Sequence, residues 1–244
     1  MRTFGIIGYP LAQSFSKKYF TEKFQKENIS DAEYKTFPLE TIGEFPELLL
    51  REKNICGLSV TIPHKEKIIP YLDFLSPEAQ EIKAVNCIKF FEGKCTGFNT
   101  DIFGFKNSLV PLLQKQHKKA LIFGSGGASK AVAYVLKKLN FDFNVVSRIK
   151  TNEGLTYEEI TPQILSEYFL LINTTPLGMF PNVTGSVSIP YHSLTPQHLL
   201  YDLIYKPEET EFLRRGKEAG AQIKNGYEML ILQAEKSWEV WNSK

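Results

Sequence analysis

The sequence predicts an α/β protein built from two units whose sheets are largely parallel. Three observations carry this. Apolar runs of strand length alternate with segments of helical periodicity along the whole chain, and such alternation implies parallel strands joined by crossovers. The 244 residues correspond to between one and two domains at about 150 residues each. A polar, basic stretch at 114–119, Gln-Lys-Gln-His-Lys-Lys, is the clearest break in the pattern, and a charge run of this kind reads as a solvated loop.

Each element has a local cause. A first strand is expected at 3–8, stopped by Gly8-Tyr-Pro10. Residues 15–28 place Phe15, Tyr19, Phe20 and Phe24 near helical spacing. A strand at 32–39, a helix at 42–52 and a strand at 55–62 ended by Pro63 follow. Short helical segments are expected at 66–71 and 77–82. Residues 86–91 and 94–98 flank Glu92-Gly93, a hairpin signal. Asp101 is placed to cap a helix running to 113. The second unit begins with a strand at 119–123, a glycine-rich turn at 124–129 and a helix at 130–139. Strands are expected at 141–146, 169–173, 199–203 and 222–224. A helix at 208–219 stops at Gly220. The last helix, 227–241, carries Met229, Leu230, Leu232, Ala234, Trp238 and Trp241 on its apolar positions.

Composition narrows the function classes. Hydrophobic residues make up 43% and charged residues 23%, the balance of a globular chain rather than a disordered one. With 29 basic and 27 acidic residues, the net charge is +2, too small for nucleic-acid binding by bulk charge. The apolar runs are too short for a membrane span or a signal peptide. Three cysteines, Cys56, Cys87 and Cys95, show no CxxC spacing, which disfavours a disulfide scaffold or a zinc ribbon and fits a reducing, cytoplasmic setting. His117, His192 and His198 lack metal-ligand spacing and are expected at the surface or in packing, so no metal is expected. His64 is expected to shape the turn after Pro63, and Cys87 to be a buried neutral thiol.

Gly124-Ser-Gly126-Gly127-Ala128-Ser129 lies between an apolar strand and a helix, the context a dinucleotide-binding turn requires. Gly124 permits the tight turn, Gly126 lets backbone approach a pyrophosphate, and the N–H groups opening the helix favour the anion. Ser129 stands where a third Gly or Ala is usual. An NAD site usually places Asp or Glu at the end of the second strand. Here that end reads Ser147-Arg148-Ile-Lys150, with two cations and no carboxylate. Arg148 can fork onto a 2′-phosphate with Lys150 adding charge, which points to NADP.

In the first half, Gly57-Leu-Ser-Val-Thr-Ile-Pro-His-Lys65 ends an apolar strand, and Gly97-Phe-Asn-Thr-Asp101 ends the hairpin. A lysine ammonium can polarise a carbonyl oxygen and supply its proton, and a carboxylate can hold and tune the lysine. On residue type alone, a Lys/Asp pair is more often a surface ion pair.

Taken together these stretches resemble the shikimate dehydrogenase family over nearly the whole chain. The matching pieces, in family order, are Gly5–Ser16, Gly57–Lys65, Ala84-Val-Asn86, Gly97–Asp101, Gly124–Ser129, Asn173-Thr174-Thr-Pro-Leu-Gly-Met179, Asp202-Leu-Ile-Tyr205-Lys-Pro207 with Thr210, and Gly226-Tyr-Glu-Met229-Leu-Ile-Leu-Gln233-Ala234. The resemblance implies a substrate domain at 1–100, a Rossmann-like NADP-binding domain at 101–225, and a C-terminal helix, 226–244, packing back on the first domain. It implies reversible reduction of 3-dehydroshikimate to shikimate in aromatic amino acid (chorismate) biosynthesis, in a cleft between the domains. Lys65 and Asp101 are then the catalytic pair. Ser14 and Ser16 hold the substrate carboxylate, Thr61, Asn86 and Gln233 its hydroxyls, and Tyr205 helps on the carboxylate side. Gly226 and Met229 lie at the nicotinamide, and Thr174 with Gly127 and Ala128 joins the cofactor set. The chain departs from the family pattern at Gln13 (usually His), Lys17 (Pro), Ser59 (Asn), Cys87 (Thr) and Ser147 (Asn), and it is trimmed between Lys150 and Ser166. Three other readings remain open: an NAD-using quinate/shikimate dehydrogenase, a non-catalytic ligand sensor, and a methylenetetrahydrofolate-type dehydrogenase. Small-molecule substrate and NADP are the expected partners, with the protein a monomer or homodimer.

Overall fold

Residues 1–100, with the chain from Ala234 onward, form one unit, and residues 101–233 form the other. The computed structural model describes residues 1–11, 14–150 and 154–243, so the Gln13 departure, and residues 151–153 of the trimmed stretch, lie outside the described residues.

In the first unit β1 (Arg2–Gly8), α1 (Phe15–Lys26), β2 (Ala32–Pro38), α2 (Phe45–Arg51) and β3 (Ile55–Val60) form crossovers that leave β1 between β2 and β3, all parallel. β4 (Phe74–Leu75), α3 (Pro77–Ile82), β5 (Cys87–Phe91) and β6 (Lys94–Phe98) complete a sheet of order β2-β1-β3-β5-β6-β4. As the hairpin signal at Glu92-Gly93 leads one to expect, β5 runs antiparallel to β6, and it is antiparallel to β3 as well. The cause of the hairpin is the two-residue turn, where Glu92 and Gly93 take φ of 49° and 73°, the left-handed pair a tight hairpin demands. The expected helix at 42–52 splits into a 3-10 turn at Ile42–Glu44 and α2, where Thr41 and Glu44 cap each other and Pro46 enters the first turn. The segment at 66–71 shrinks to a 3-10 turn, Ile69–Tyr71.

One sheet face packs Ile7, Phe37, Leu58, Val60 and Ile88 against Phe45 and Leu48 of α2. The other packs Phe4, Ile6, Tyr34 and Cys87 against Phe20 and Phe24 of α1 and against Ala234 and Trp241. Gly57 permits this second contact: any Cβ there would overlap the Trp241 indole, whose Nε1 donates to the Ile88 carbonyl at 3.0 Å.

The second unit runs α4 (Asp101–Leu109), β7 (Lys119–Phe123), α5 (Gly127–Lys138), β8 (Asp142–Ser147), β9 (Leu155–Thr156), α6 (Pro162–Leu165), β10 (Leu170–Asn173), β11 (Leu199–Asp202), α7 (Glu211–Glu218), β12 (Gln222–Lys224) and α8 (Tyr227–Asn242). Its sheet is parallel throughout, in the order β9-β8-β7-β10-β11-β12. Numbered within the unit this is 3-2-1-4-5-6, the dinucleotide-binding order. Every residue of β10 and β11 is buried, as are Ala120–Phe123 of β7, because helices cover both faces of a doubly wound sheet.

Several boundaries differ from expectation. Asp101 is the first helical residue rather than the cap, and α4 gives way before Pro111 to a 3-10 turn at Val110–Leu112. α5 starts at Gly127, three residues earlier than expected. α7 starts at Glu211 because the Thr210 hydroxyl accepts the Leu213 N–H and caps it. The two-residue strands β4 and β9 and the single turn α6 are too short to carry a periodic signal. α8 continues across the division at Ala234. Among the described residues no helix is long and apolar enough to cross a membrane.

Candidate active site

The topological switch point of the second sheet lies between β7 and β10, where the chain leaves one strand for α5 and returns on the other. Gly124 ends β7 there with φ of 108°, a conformation that costs a side chain about 1–2 kcal/mol. A Cβ at Gly124 would also sit 2.7 Å from Thr174 Oγ1. Thr174 in turn is pinned to β7: its N–H and its hydroxyl both bond the Phe123 carbonyl, at 2.9 and 2.7 Å. Gly124 and Thr174 thus meet across the switch point. Gly126 is the residue before α5, carries no side-chain cap, and a Cβ there would meet nothing within 4 Å. No side chain caps the first N–H groups of α5, from Gly127 and Ala128 on, and at such a helix start an anion gains from those groups and from the helix dipole. Ser129 is buried and accommodated in the strand–helix packing.

The end of β8 is divided in its roles. Arg148 is exposed, and among the described residues no carboxylate pairs with it. Lys150 forms an ion pair with Glu159 at 2.5 Å, which holds that carboxyl below its usual range. The Ser147 hydroxyl donates to the Ile149 carbonyl at 2.5 Å and shapes the loop. Arg148 is the side chain at this strand end left to take a phosphate, and the groups present fit a dinucleotide with a 2′-phosphate.

At the far strand end, Gly226 is enforced by packing, since a Cβ would overlap the Leu203 carbonyl. Met229 is a core residue, packed with Phe105, Leu199 and Tyr201. Gly104 of α4 lies against α8: a Cβ there would be 2.5 Å from the Met229 carbonyl oxygen and 3.1 Å from Gln233 Cβ. Asp101, one turn before Gly104 and on its face, and Gln233 are therefore carried on touching helices. Asp101 is buried, and the Gln233 amide donates to the Leu230 carbonyl at 2.9 Å. Tyr205 is half-buried, which pushes its phenol up.

In the first unit the candidate side chains lie near the C-terminal ends of the parallel strands. Ser14 caps α1, its Oγ accepting the Lys17 N–H at 3.3 Å, which leaves its own proton to donate elsewhere. Ser16, in the first turn, is buried. Thr61 follows β3, its N–H bonded to the Ile7 carbonyl at 2.9 Å. Lys65 sits on a loop fixed by main-chain bonds, His64 N–H to Thr61 and Val85 N–H to the Lys65 carbonyl at 2.7 Å. His64 is buried with Nε2 2.7 Å from the Leu39 carbonyl, so it ties this loop to the end of β2, in keeping with its expected structural role. Asn86 clamps Thr100: its Oδ1 accepts the Thr100 N–H at 2.6 Å and its Nδ2 donates to the hydroxyl at 3.0 Å.

Sequence spacing carried no sign of Thr100 and Ser237 as supports of Asn86. Thr100 Oγ1 reaches Ser237 Oγ at 2.9 Å, a contact between residues far apart in sequence. Asp202 and Asn173 belonged to matching stretches without a role. They prove to be one buried network, in which Thr210 Oγ1, the Ile204 N–H and Asn173 Nδ2 all donate to Asp202, at 2.6, 3.0 and 3.1 Å. His117 and His198 are buried, with Nδ1 accepting a main-chain N–H from Gln114 and Thr195 and Nε2 at a carbonyl, and burial pushes both rings below the usual histidine range. Cys87 is buried in the sheet core. Among the described residues no group of three or more His, Cys, Asp or Glu is arranged to hold a metal.

A doubly wound parallel sheet with an open glycine turn at its switch point defines a dinucleotide-binding α/β protein. Comparison with known proteins narrows that class. Residues 6–88 match the family described as the shikimate dehydrogenase substrate binding domain. A shikimate dehydrogenase (NADP(+)) of Carboxydothermus hydrogenoformans is 37% identical, over 97% of this chain and 90% of that one. The crystal structure of shikimate dehydrogenase 1 from Peptoclostridium difficile superposes with a TM-score of 0.87 at 38% identity, covering 99% of this chain and 91% of that one. The Thermus thermophilus enzyme, in complex with NADP(H) and shikimate, gives a TM-score of 0.87 at 28% identity, over 99% and 93%. The chain belongs to the shikimate dehydrogenase family.

Proposed function

We propose that the protein is an NADP-dependent shikimate dehydrogenase, reducing 3-dehydroshikimate reversibly to shikimate in aromatic amino acid biosynthesis. It would work in the cytoplasm, as a monomer or homodimer. The observation that carries the reading is the switch-point turn, with Gly124 at positive φ and α5 uncapped, on a chain whose relatives include many shikimate dehydrogenases. NADP supplies or accepts the hydride when bound. Gly124, Gly126, Gly127, Ala128 and Thr174 hold its pyrophosphate side, and Arg148 its 2′-phosphate. Gly226 and Met229 border the nicotinamide. On the substrate, Ser14 and Ser16 bind the carboxylate, Thr61, Asn86 and Gln233 bind hydroxyls, and Tyr205 assists at the carboxylate. Lys65 holds the proton of the reacting oxygen and Asp101 positions Lys65. A buried hydroxyl or amide donor left unpaired penalises an analogue lacking the matching oxygen, so this donor set suits a polyhydroxylated carboxylate better than a pterin.

Following NADPH absorbance with shikimate and NADP tests the reading directly. Turnover with NADP and shikimate, well above that with NAD or quinate, is expected. Binding without turnover would instead support a ligand sensor.

Variants on each side probe the halves separately. Arg148→Ala should raise the NADP KM about tenfold, the loss of a charge-assisted phosphate contact, and barely change the NAD KM. Equal losses for both cofactors would remove Arg148 from the 2′-phosphate. Ser14→Ala or Ser16→Ala should raise the shikimate KM with little change in NADP affinity. If Ser14→Ala lowers Tm and leaves KM alone, Ser14 is a helix cap and nothing more.

A further inference from the structure

A cleft of about 450 Å³ lies beside the start of α1, with Leu11, Ser14, Lys17, Lys18 and Thr36 on its walls. Its size is that of a small-molecule site. Ser14 and Lys17 stand three residues apart at the helix start, so their side chains share a face. They are also bonded directly, Ser14 Oγ accepting the Lys17 N–H at 3.3 Å. The charges on the cleft are unequally matched. Lys18 faces Glu22 at 3.8 Å. Lys17 is exposed, and among the described residues no carboxylate pairs with its ammonium. Thr21, further along this wall, spends its hydroxyl proton on the Lys17 carbonyl at 2.7 Å. Ser14 and Lys17 are thus the donors on this face with protons still to offer.

The helix start is also a poor place for a lysine. The first turn of α1 holds no acidic residue, and the positive end of the helix dipole repels a cation. The fold of α1 gains nothing from this charge, whereas an anion in the cleft is drawn by the dipole and the ammonium together.

We propose that Lys17 is a further substrate-binding residue that selects for the anionic form: its ammonium pairs with the carboxylate that Ser14 holds. This rests on the reading of Ser14 as a carboxylate ligand. A hydroxyl donor also serves a neutral ester, but an ammonium beside it favours the charged group. The division of labour is set by one residue. The Lys17 N–H occupies a lone pair of Ser14 Oγ and leaves the hydroxyl proton for the ligand, and the Lys17 side chain brings the charge. The family usually carries Pro here. Proline has no N–H and no charge, so in this chain a single departure supplies both. Because Lys17 is exposed, water and salt screen the pair, and its effect is modest and salt-dependent.

Lys17→Gln keeps the N–H and removes the charge. At low salt it should raise the shikimate KM about two- to fivefold, the range of an exposed ion pair, with kcat within about twofold and the NADP KM unchanged. In about 500 mM salt the wild-type KM should rise to meet that of the variant. Lys17→Arg, which keeps the charge, should stay near wild type. With the neutral methyl ester of shikimate as substrate, wild type and Lys17→Gln should share one KM. The Tm of Lys17→Gln should hold or rise, because a cation leaves the positive end of the helix. If Ser14→Ala raises the shikimate KM and Lys17→Gln does not, the pairing is wrong and the carboxylate reading stands. If neither moves it, both fall. If Lys17→Gln raises it and Ser14→Ala does not, Ser14 is a cap alone and the shared ligand is wrong. A Lys17→Gln loss that is equal for acid and ester, or that comes with a lower Tm, overturns the pairing as a structural effect.

Discussion

Lys65→Ala should lower kcat by about 10²–10⁴-fold, the contribution of a positioned general acid–base, while NADP binding by fluorescence titration stays near wild type. Oxidising an alcohol removes a proton as hydride leaves, and the reverse reduction returns one, so some side chain must reach the reacting oxygen. The loop that presents Lys65 is held by main-chain bonds and by His64 on the Leu39 carbonyl, none of which involves the lysine side chain. A transition-state interaction lowers kcat and kcat/KM together. On the proposed Lys65–Asp101 pairing, Asp101→Asn should lower kcat too, and the double variant should be little worse than Lys65→Ala. Retention of more than about a third of wild-type kcat by Lys65→Ala, against the range expected for acid–base action, would make the pair structural and the mechanism wrong.

The second large effect is on stability. Asp202 is completely buried, takes three hydrogen bonds, and has no cation paired with it among the described residues. Burial outweighs the three donors and pushes its carboxyl up to about 6. The sign follows from linkage. Unfolded, the group loses its proton near pH 4; folded, it keeps it to about 6. Between those values the folded state binds more protons, so its stability falls as pH rises, by about 3 kcal/mol over the whole window. About half of that lies between pH 5 and 8 by the same relation. Asp202→Asn removes the charge and keeps the shape, its Oδ1 accepting from Ile204 and Asn173 and its Nδ2 facing the Thr210 hydroxyl. In urea titrations at pH 5 and pH 8, the stability of wild type relative to Asp202→Asn should be lower at pH 8. A difference independent of pH would show that Asp202 ionises as an exposed carboxyl does.

The alternation of strands and helices was legible from the chain's residues, because hydrophobic periodicity is a local property that each segment carries alone. The glycine turn was legible too, since Gly124 takes a backbone conformation that disfavours other residues. So was the lack of an acidic residue beside Arg148: a site at a strand end is a fixed distance from its turn. The strand order 3-2-1-4-5-6 came only with the folded structure, because it depends on which buried strands pair rather than on any one strand's pattern. Folding likewise bound Lys150 to Glu159 and left Arg148 open, a choice made by how the loop after β8 folds back. It also brought Tyr34 and Ser59 into contact and enclosed Asp202 in a buried network. A hydroxyl or a carboxylate carries no sign in the sequence of whether water or protein surrounds it. That is set when a sheet and its helices close over it, and the chemistry of these groups is set with it.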